Sequence, residues 1–288
     1  MGEKYIASGV ASPSGVLKTV LFGSLASFIL PLVYIILVRL IPNIWFNAIC
    51  ALLFGMFLAY FIDLGIKIGK IRNFKIAIGI AIFCGLLAFY NQWVLFDVLA
   101  YSAKGFTFKL NGADLKILLS DFFYLWSHPG VLFKEILYLN EVGTFRIEGS
   151  STISGSLLWI IWFGELLVIL LSVVLTVGNG QVVTPFSEQN DAWMTRRKLI
   201  HRINYVEDKD TFLTVLDRKE YDLLKHNHEI VDAQNFAEVV VFESPGDPAK
   251  YVNVINVINV INNVDKKGKI TPKKKNLATR LQLLNANI

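Results

Sequence analysis

"SGSLLWIIWFGELLVILLSVVLTVGNG" (residues 154–180) decides the fold. Its apolar run from Leu157 to Val177 matches the roughly 20 residues that a bilayer-crossing helix needs. One ionisable side chain, Glu165, stands near its centre. A carboxylate in hydrocarbon costs about 3 kcal/mol on insertion scales, so it faces protein or water, is paired, or is protonated. At helical spacing Trp162, Ser172 and Thr176 lie on or near the same side, which makes that flank the least lipid-like. Glu165 is therefore either a proton, ion or substrate group, or one end of an interhelical hydrogen bond that fixes packing.

Three further segments have the same length and character: residues 20–41, 45–66 and 76–99. With 54% hydrophobic and 18% charged residues in a 288-residue chain, the apolar residues concentrate in the first two thirds and the rest has a soluble composition. The expected fold is thus an α-helical membrane protein with four transmembrane helices plus a small α+β domain. Its parts are an N-terminus over 1–19, three spans over 20–100, an amphipathic helical segment over 101–155, the fourth span over 156–177 and the α+β domain over 178–288. The stretch 20–41 is too long for the core of a cleaved signal and is expected to be a retained span.

The loop "KIGKIRNFK" between the second and third spans holds Lys67, Lys70, Arg72 and Lys75 and no acid. Short basic loops favour the cytoplasm. Both termini are then expected there, in a plasma (inner) membrane protein, with 101–155 outside. In that segment "ADLKILLSDFFYLW" and "VLFKEILYL" each show helical spacing, the second after the helix-start signal "SHPG". In the tail, "DRKEYDLLKHNH" has a helical pattern. "FAEVVVF" and "YVNVINVINVINNV", rich in β-branched residues and separated by "SPGDPAK", form an expected hairpin, and "DKKGK" a second turn. The NVI triplet fits neither a strand's nor a helix's period.

The second span carries a regular row: Asn47, Ala51, Gly55, Ala59 and Asp63 recur every four residues. Small residues so spaced let a neighbouring backbone approach closely, because lipid offers no hydrophobic drive for helix association. The row is a packing face with Asn47 and Asp63 as polar ends, or the wall of a polar pathway. Gly23 and Ser27 in the first span and Ala81 and Gly85 in the third are its candidate partners. Asn91 and Gln92 are suited to bonds across helices. Arg39 is expected to extend to the headgroups rather than pair with Glu165. Pro31 is expected to kink the first span and to free a carbonyl near Ser27, satisfied locally.

Other chemistry is absent by motif. Cys50 and Cys84 lie in apolar segments and build neither a disulfide framework nor a zinc site. His201, His226 and His228 lack the companions of a metal site, and no metal or other cofactor is expected. The chain has no Walker loop, G-x-S-x-G elbow, HExxH or GxGxxG. A net charge of +5 is too diffuse for nucleic acid.

"GTFRIEGSSTISGSLLWIIWFGE" (residues 143–165) followed by "TPFSEQNDAW" (residues 184–193) resembles an uncharacterised group of bacterial multi-span membrane proteins. In that group a Gly-aromatic segment precedes an apolar helix containing Trp and Glu, and a Pro-Phe-Cys-x-x-Cys knuckle begins the cytoplasmic domain. Ser187 and Asn190 stand at the two cysteine positions, so the resemblance implies no metal here.

The expected role is non-enzymatic: a membrane-anchored interaction or sensory component whose domain over 178–288 binds a protein partner. Lipid bilayer and a second copy of the chain are the other partners expected. The alternative is a channel or transporter subunit with Glu165 in an intramembrane polar path. An enzyme acting on lipid would need clustered acids, and Asp63, Asp97 and Glu165 are spread in depth.

Overall fold

The computed structural model describes residues 3–41, 43–101, 112–146, 152–225, 232, 234–258 and 273–286. The chain divides into two compact units, residues 9–183 and residues 1–8 with 184–288.

Among the described residues the first unit holds four helices long and apolar enough to cross a membrane. Helix α1 (Pro13–Leu40) begins seven residues before the expected span. The Ser12 side chain accepts from the Gly15 amide and Pro13 presets the first turn, so capping chemistry sets the start rather than hydrophobicity. Helix α2 (Ile44–Gly69) starts at Asn43, which accepts from the Trp45 and Phe46 amides, and stops where Lys70 turns left-handed at φ 51°. Helices α3 (Phe74–Tyr101) and α6 (Ser156–Asn179) complete the set. Helices α1 and α6 each pack on both α2 and α3, which makes them diagonal across the bundle. Large apolar side chains such as Leu17, Leu21, Phe57, Phe83 and Leu171 are exposed on its outside. That is the pattern of a surface solvated by lipid.

Close approach depends on the small residues. At Gly55 a Cβ would meet Ser172 and the Ile169 carbonyl of α6, and Ala51 and Ala59 are fully buried. Gly69 of α2 lies backbone to backbone against Gly15 of α1, and Gly23 lies against Cys84 of α3. Pro31 leaves the Ser27 carbonyl without its helical donor. The replacement is not local as expected: Asn91 Nδ2 of α3 donates to Ser27 O at 2.9 Å. The single Ser27 O–H is meanwhile shared between Gly23 O at 2.8 Å and Cys84 O at 2.9 Å.

Between α3 and α6 lie α4 (Gly112–Ser127), α5 (Pro129–Val142) and the two-residue pair β1 (Phe145–Arg146) and β2 (Thr152–Ile153). Leu125 of α4 and Leu132 and Leu139 of α5 share a core with Trp93, Val94 and Val98 of α3 and Leu158 and Trp162 of α6. The end of the bundle away from the 67–75 loop is therefore covered. Asn91 fixes this cover too, since its Oδ1 accepts from Trp126 Nε1 at 3.0 Å.

The second unit is built on an antiparallel five-stranded sheet in the order β5 (Thr195–Lys198), β7 (Asn235–Glu243), β8 (Ala249–Ile258), β9 (Lys273–Leu284), with β6 (Ile203–Asn204) also on β7. The hairpin expected from "SPGDPAK" joins β7 to β8. The helical pattern is displaced: α7 spans Lys209–Asp217, where Asp208 caps it, and a 3-10 turn at Tyr221–Leu224 follows. The reversal between them contains Lys219 at φ 64°, which a continuous helix cannot accommodate. Phe212, Leu216 and Leu224 close one sheet face over Val239, Val241 and Val252. Residues 3–5, within the N-terminal segment expected over 1–19, bond to β9, through Tyr5 N to Arg280 O and Gln282 N to Glu3 O. His226, His228 and the turn expected at "DKKGK" lie outside the described residues.

The NVI triplet now has a physical account. A period of three in a strand of period two sends successive asparagines to opposite faces. Asn253 Oδ1 accepts from the Arg280 amide at 2.7 Å, beside the register shift between β8 and β9. Asn256 is buried and exchanges two bonds with the backbone of Val206.

Candidate functional site

Glu165 is placed by the middle of α6, roughly 13–14 Å along the helix from its start at 1.5 Å per residue. It receives two donors from different helices. Tyr34 of α1 donates its hydroxyl to Oε1 at 2.5 Å and Gln92 of α3 donates Nε2 to the same oxygen at 2.6 Å. No described residue donates to Oε2. Both donors are neutral, so among the described residues the carboxyl has polar company and no paired cation.

Beside it is a cavity of about 580 Å³, within the range of small-molecule sites. It is bounded by the last turns of α1, the first turns of α2, the covered end of α3 and α6 from Ile160 to Val168, with Leu139 and Thr144 at the cover. Most of its wall is apolar, including Ile35, Val38, Phe96 and the edge-to-face pair Trp93–Trp162, whose ring centroids are 4.7 Å apart. The polar groups in that wall are incompletely satisfied. Asn47 is 8% exposed, and neither its Oδ1 nor its Nδ2 has a partner. Gln92, 5% exposed, spends Nε2 on Glu165 and leaves Oε1 unpartnered, and Thr144 Oγ1 is unpartnered as well. An unmet buried polar atom costs about 1–3 kcal/mol, so an arrangement of several in one cavity calls for an explanation.

The sequence-selected residues separate into three environments. Glu165 and Asn47 line the cavity, and so does Arg39, whose guanidinium lies 6.0 Å from the Phe96 ring centre. Ala51 closes the cavity, while Gly55 and Ala59 are packed against neighbouring helices. Asp63 belongs to the other end of α2, where its Oδ1 accepts from the Gln181 amide at 3.3 Å. Asn47 and Asp63 thus do not share one cavity, and the contact of Gly55 with Ser172 lies between them. Trp162 and Ser172 are buried and Thr176 is half-buried; Ser172 donates to Leu52 O at 2.8 Å.

Three site residues were not singled out from the sequence. Tyr34 carried a signal, because a phenol inside a span needs a partner for its hydroxyl. Trp93 and Thr144 carried none, since the cover over the bundle decides where they point.

Ser187 and Asn190 form part of a different cluster in the second unit. The short pair β3 (Phe186–Ser187) and β4 (Ala192–Trp193) makes a turn in which the Asn190 amide donates to Ser187 Oγ at 3.2 Å. Ser187 Oγ donates to Asp247 Oδ2 at 2.5 Å, and Asn190 Nδ2 donates to Ser244 Oγ at 2.8 Å. Two turns with the same i, i+3 spacing are therefore tied by side-chain hydrogen bonds. Among the described residues no three His, Cys, Asp or Glu side chains group as a metal site requires.

Comparison with protein-family models, with curated proteins and with solved structures finds no match.

Proposed function

We propose that this chain is a membrane-embedded receptor of the sensory or interaction type, which binds one small amphipathic molecule in the cavity headed by Glu165. The observation that carries the reading is the set of buried, unpartnered polar atoms on Asn47, Gln92 and Thr144 around a mostly apolar cavity. A ligand with an apolar body and a polar end satisfies both parts of that wall. The basic 67–75 loop supports an inside location for that end of the bundle, which gives cytoplasmic termini in a plasma membrane and a cavity opening on the outer half. The domain that follows then meets a soluble protein partner on the cytoplasmic side. A transport role would need a route past Gly55, where α2 and α6 are in contact.

Gly164 provides the test. It lines the cavity, and a Cβ built there has nothing within 4 Å. Gly164→Phe should fill the space without displacing backbone. Protein purified from membranes in mild detergent should carry a bound small molecule by native mass spectrometry, and the Gly164→Phe variant should lose it. Bare polypeptide in both preparations, with added amphiphiles binding neither, defeats the reading.

A further inference from the structure

The polar wall specifies more than polarity. Gln92 Nε2 must face the Glu165 carboxyl, because the opposite amide orientation would set oxygen against oxygen. Its Oε1 is consequently an acceptor, buried and unpartnered. Glu165 directs both of its received bonds to Oε1, leaving Oε2 as a second acceptor on the same residue that lines the cavity. Tyr34, the nearest donor, is already spent on Glu165. The inner part of the site therefore offers two open acceptors and one potential negative charge, against which these three residues leave only the second N–H of Gln92 Nε2 as a donor.

We infer that the ligand is an amphiphile with a primary amine, whose ammonium group is received by Glu165 Oε2 and Gln92 Oε1 while its hydrocarbon part lies along Trp93, Trp162 and Phe96. This rests on the receptor reading and names its ligand class. A primary ammonium brings several N–H donors and the charge that Glu165 lacks a partner for, and charge-assisted bonds of this kind are about twice as strong as neutral ones. The indole pair adds a surface that attracts a cation. A quaternary ammonium has the charge without N–H donors, an alcohol has one donor without charge, and a carboxylate brings repulsion. An amine also suits the carboxyl in either protonation state, since the pair shares one proton between them. Arg39 on the cavity wall opposes a second cation, which favours an ammonium seated at Glu165 over one near Arg39.

The amine could be a membrane aminolipid or a free amine that partitions into the bilayer, and the chemistry of recognition is the same. The full-length protein in phosphatidylcholine nanodiscs would be titrated with octylamine, octanol, octyltrimethylammonium and octanoate, following the quenching of tryptophan fluorescence. Octylamine should bind at least tenfold more tightly than each of the other three. Glu165→Gln should remove that preference while retaining octanol binding, and Gly164→Phe should abolish the response to all four. The wild-type series stands by itself if Glu165→Gln does not fold. Equal affinity for amine and alcohol, or a preference for octanoate, overturns the amine assignment and leaves the receptor reading in place. Undiminished binding of all four by Gly164→Phe overturns the receptor reading as well. In nanodiscs containing phosphatidylethanolamine, a weakened octylamine response assigns the amine to the lipid; an unchanged response assigns it to the free solute.

Discussion

Tyr34 of α1 and Glu165 of α6 are joined by a hydrogen bond of 2.5 Å, although their helices are diagonal in the bundle and pack mainly on α2 and α3. The bond closes the bundle across its middle at the edge of the cavity. Tyr34→Phe removes that donor and leaves Gln92 as the carboxyl's sole described partner. An intramolecular hydrogen bond contributes about 0.5–1.5 kcal/mol, and about 1.5–3 kcal/mol where one partner is charged. The variant should lose a comparable amount in a denaturant titration in mixed micelles. Glu165→Gln, which still accepts from both donors, should lose less.

Asn91 compensates for Pro31, and this can be tested by reversing the defect. Asn91→Leu strands the Ser27 carbonyl and the Trp126 indole, and should destabilise the bundle by about 1–3 kcal/mol. Pro31→Ala restores a backbone donor for Ser27 O. In the Asn91→Leu background it should recover part of the loss, whereas in the wild type it should be near neutral. A double-mutant cycle measures the coupling, and additivity of the two changes would show that Asn91 does not serve the kink.

Gly55 and Gly79 offer a matched pair. A Cβ at Gly55 would lie 2.7 Å from Ser172 Cβ, while at Gly79 nothing lies within 4 Å. Gly55→Leu should prevent normal assembly of α2 with α6, visible as aggregation on size-exclusion chromatography. Gly79→Ala should be neutral or slightly stabilising, since alanine in a helix costs less backbone entropy than glycine.

The four long helices were legible because hydrocarbon imposes length and composition on whatever crosses it, and the β7–β8 hairpin because β-branched runs flank a Pro-Gly turn. Helix starts were less so: Ser12 and Asn43 are single residues, and hydropathy ignores them. Glu165 stood out by its cost in an apolar run. Its partners did not, because Tyr34 and Gln92 are 131 and 73 residues away along the chain and no period links them to it. The row from Asn47 to Asp63 looked continuous in sequence. In space it is cut at Gly55, because α6 contacts α2 at that level.

Acid should weaken the second unit through Glu243. The Arg197 guanidinium, which donates to it at 2.7 Å, holds its carboxyl below the ordinary value of 4.5. A lowered carboxylate contributes stability that is complete above the unfolded value and is lost as pH falls through the folded one. The side chain is 27% exposed and Arg197 47%, so the contribution is that of a surface pair, at most about 1 kcal/mol. Glu243→Gln should flatten the stability profile below pH of about 4.5, in circular dichroism melts taken at a series of pH values. An unchanged acid limb would mean that Glu243 is not part of it.

Asp247 holds the two turns of the second unit together, and its replacement should report on both. One carboxylate oxygen accepts from Ser187 Oγ and the other from the Ala249 amide at 2.9 Å, while the neighbouring Ser244 accepts from Asn190. Two cysteines at Ser187 and Asn190 would suit a metal knuckle. In this chain hydrogen bonds supply the cross-link, and its strength should not depend on metal. Asp247→Ala removes both acceptors at once and should destabilise the unit by about 1–3 kcal/mol. Asp247→Asn retains an acceptor oxygen and should lose less. The order of the two variants in thermal unfolding, identical with and without a strong chelator, distinguishes a hydrogen-bonded cross-link from a metal-held one: a chelator that lowers the wild-type midpoint to that of Asp247→Ala would reject the hydrogen-bonded account.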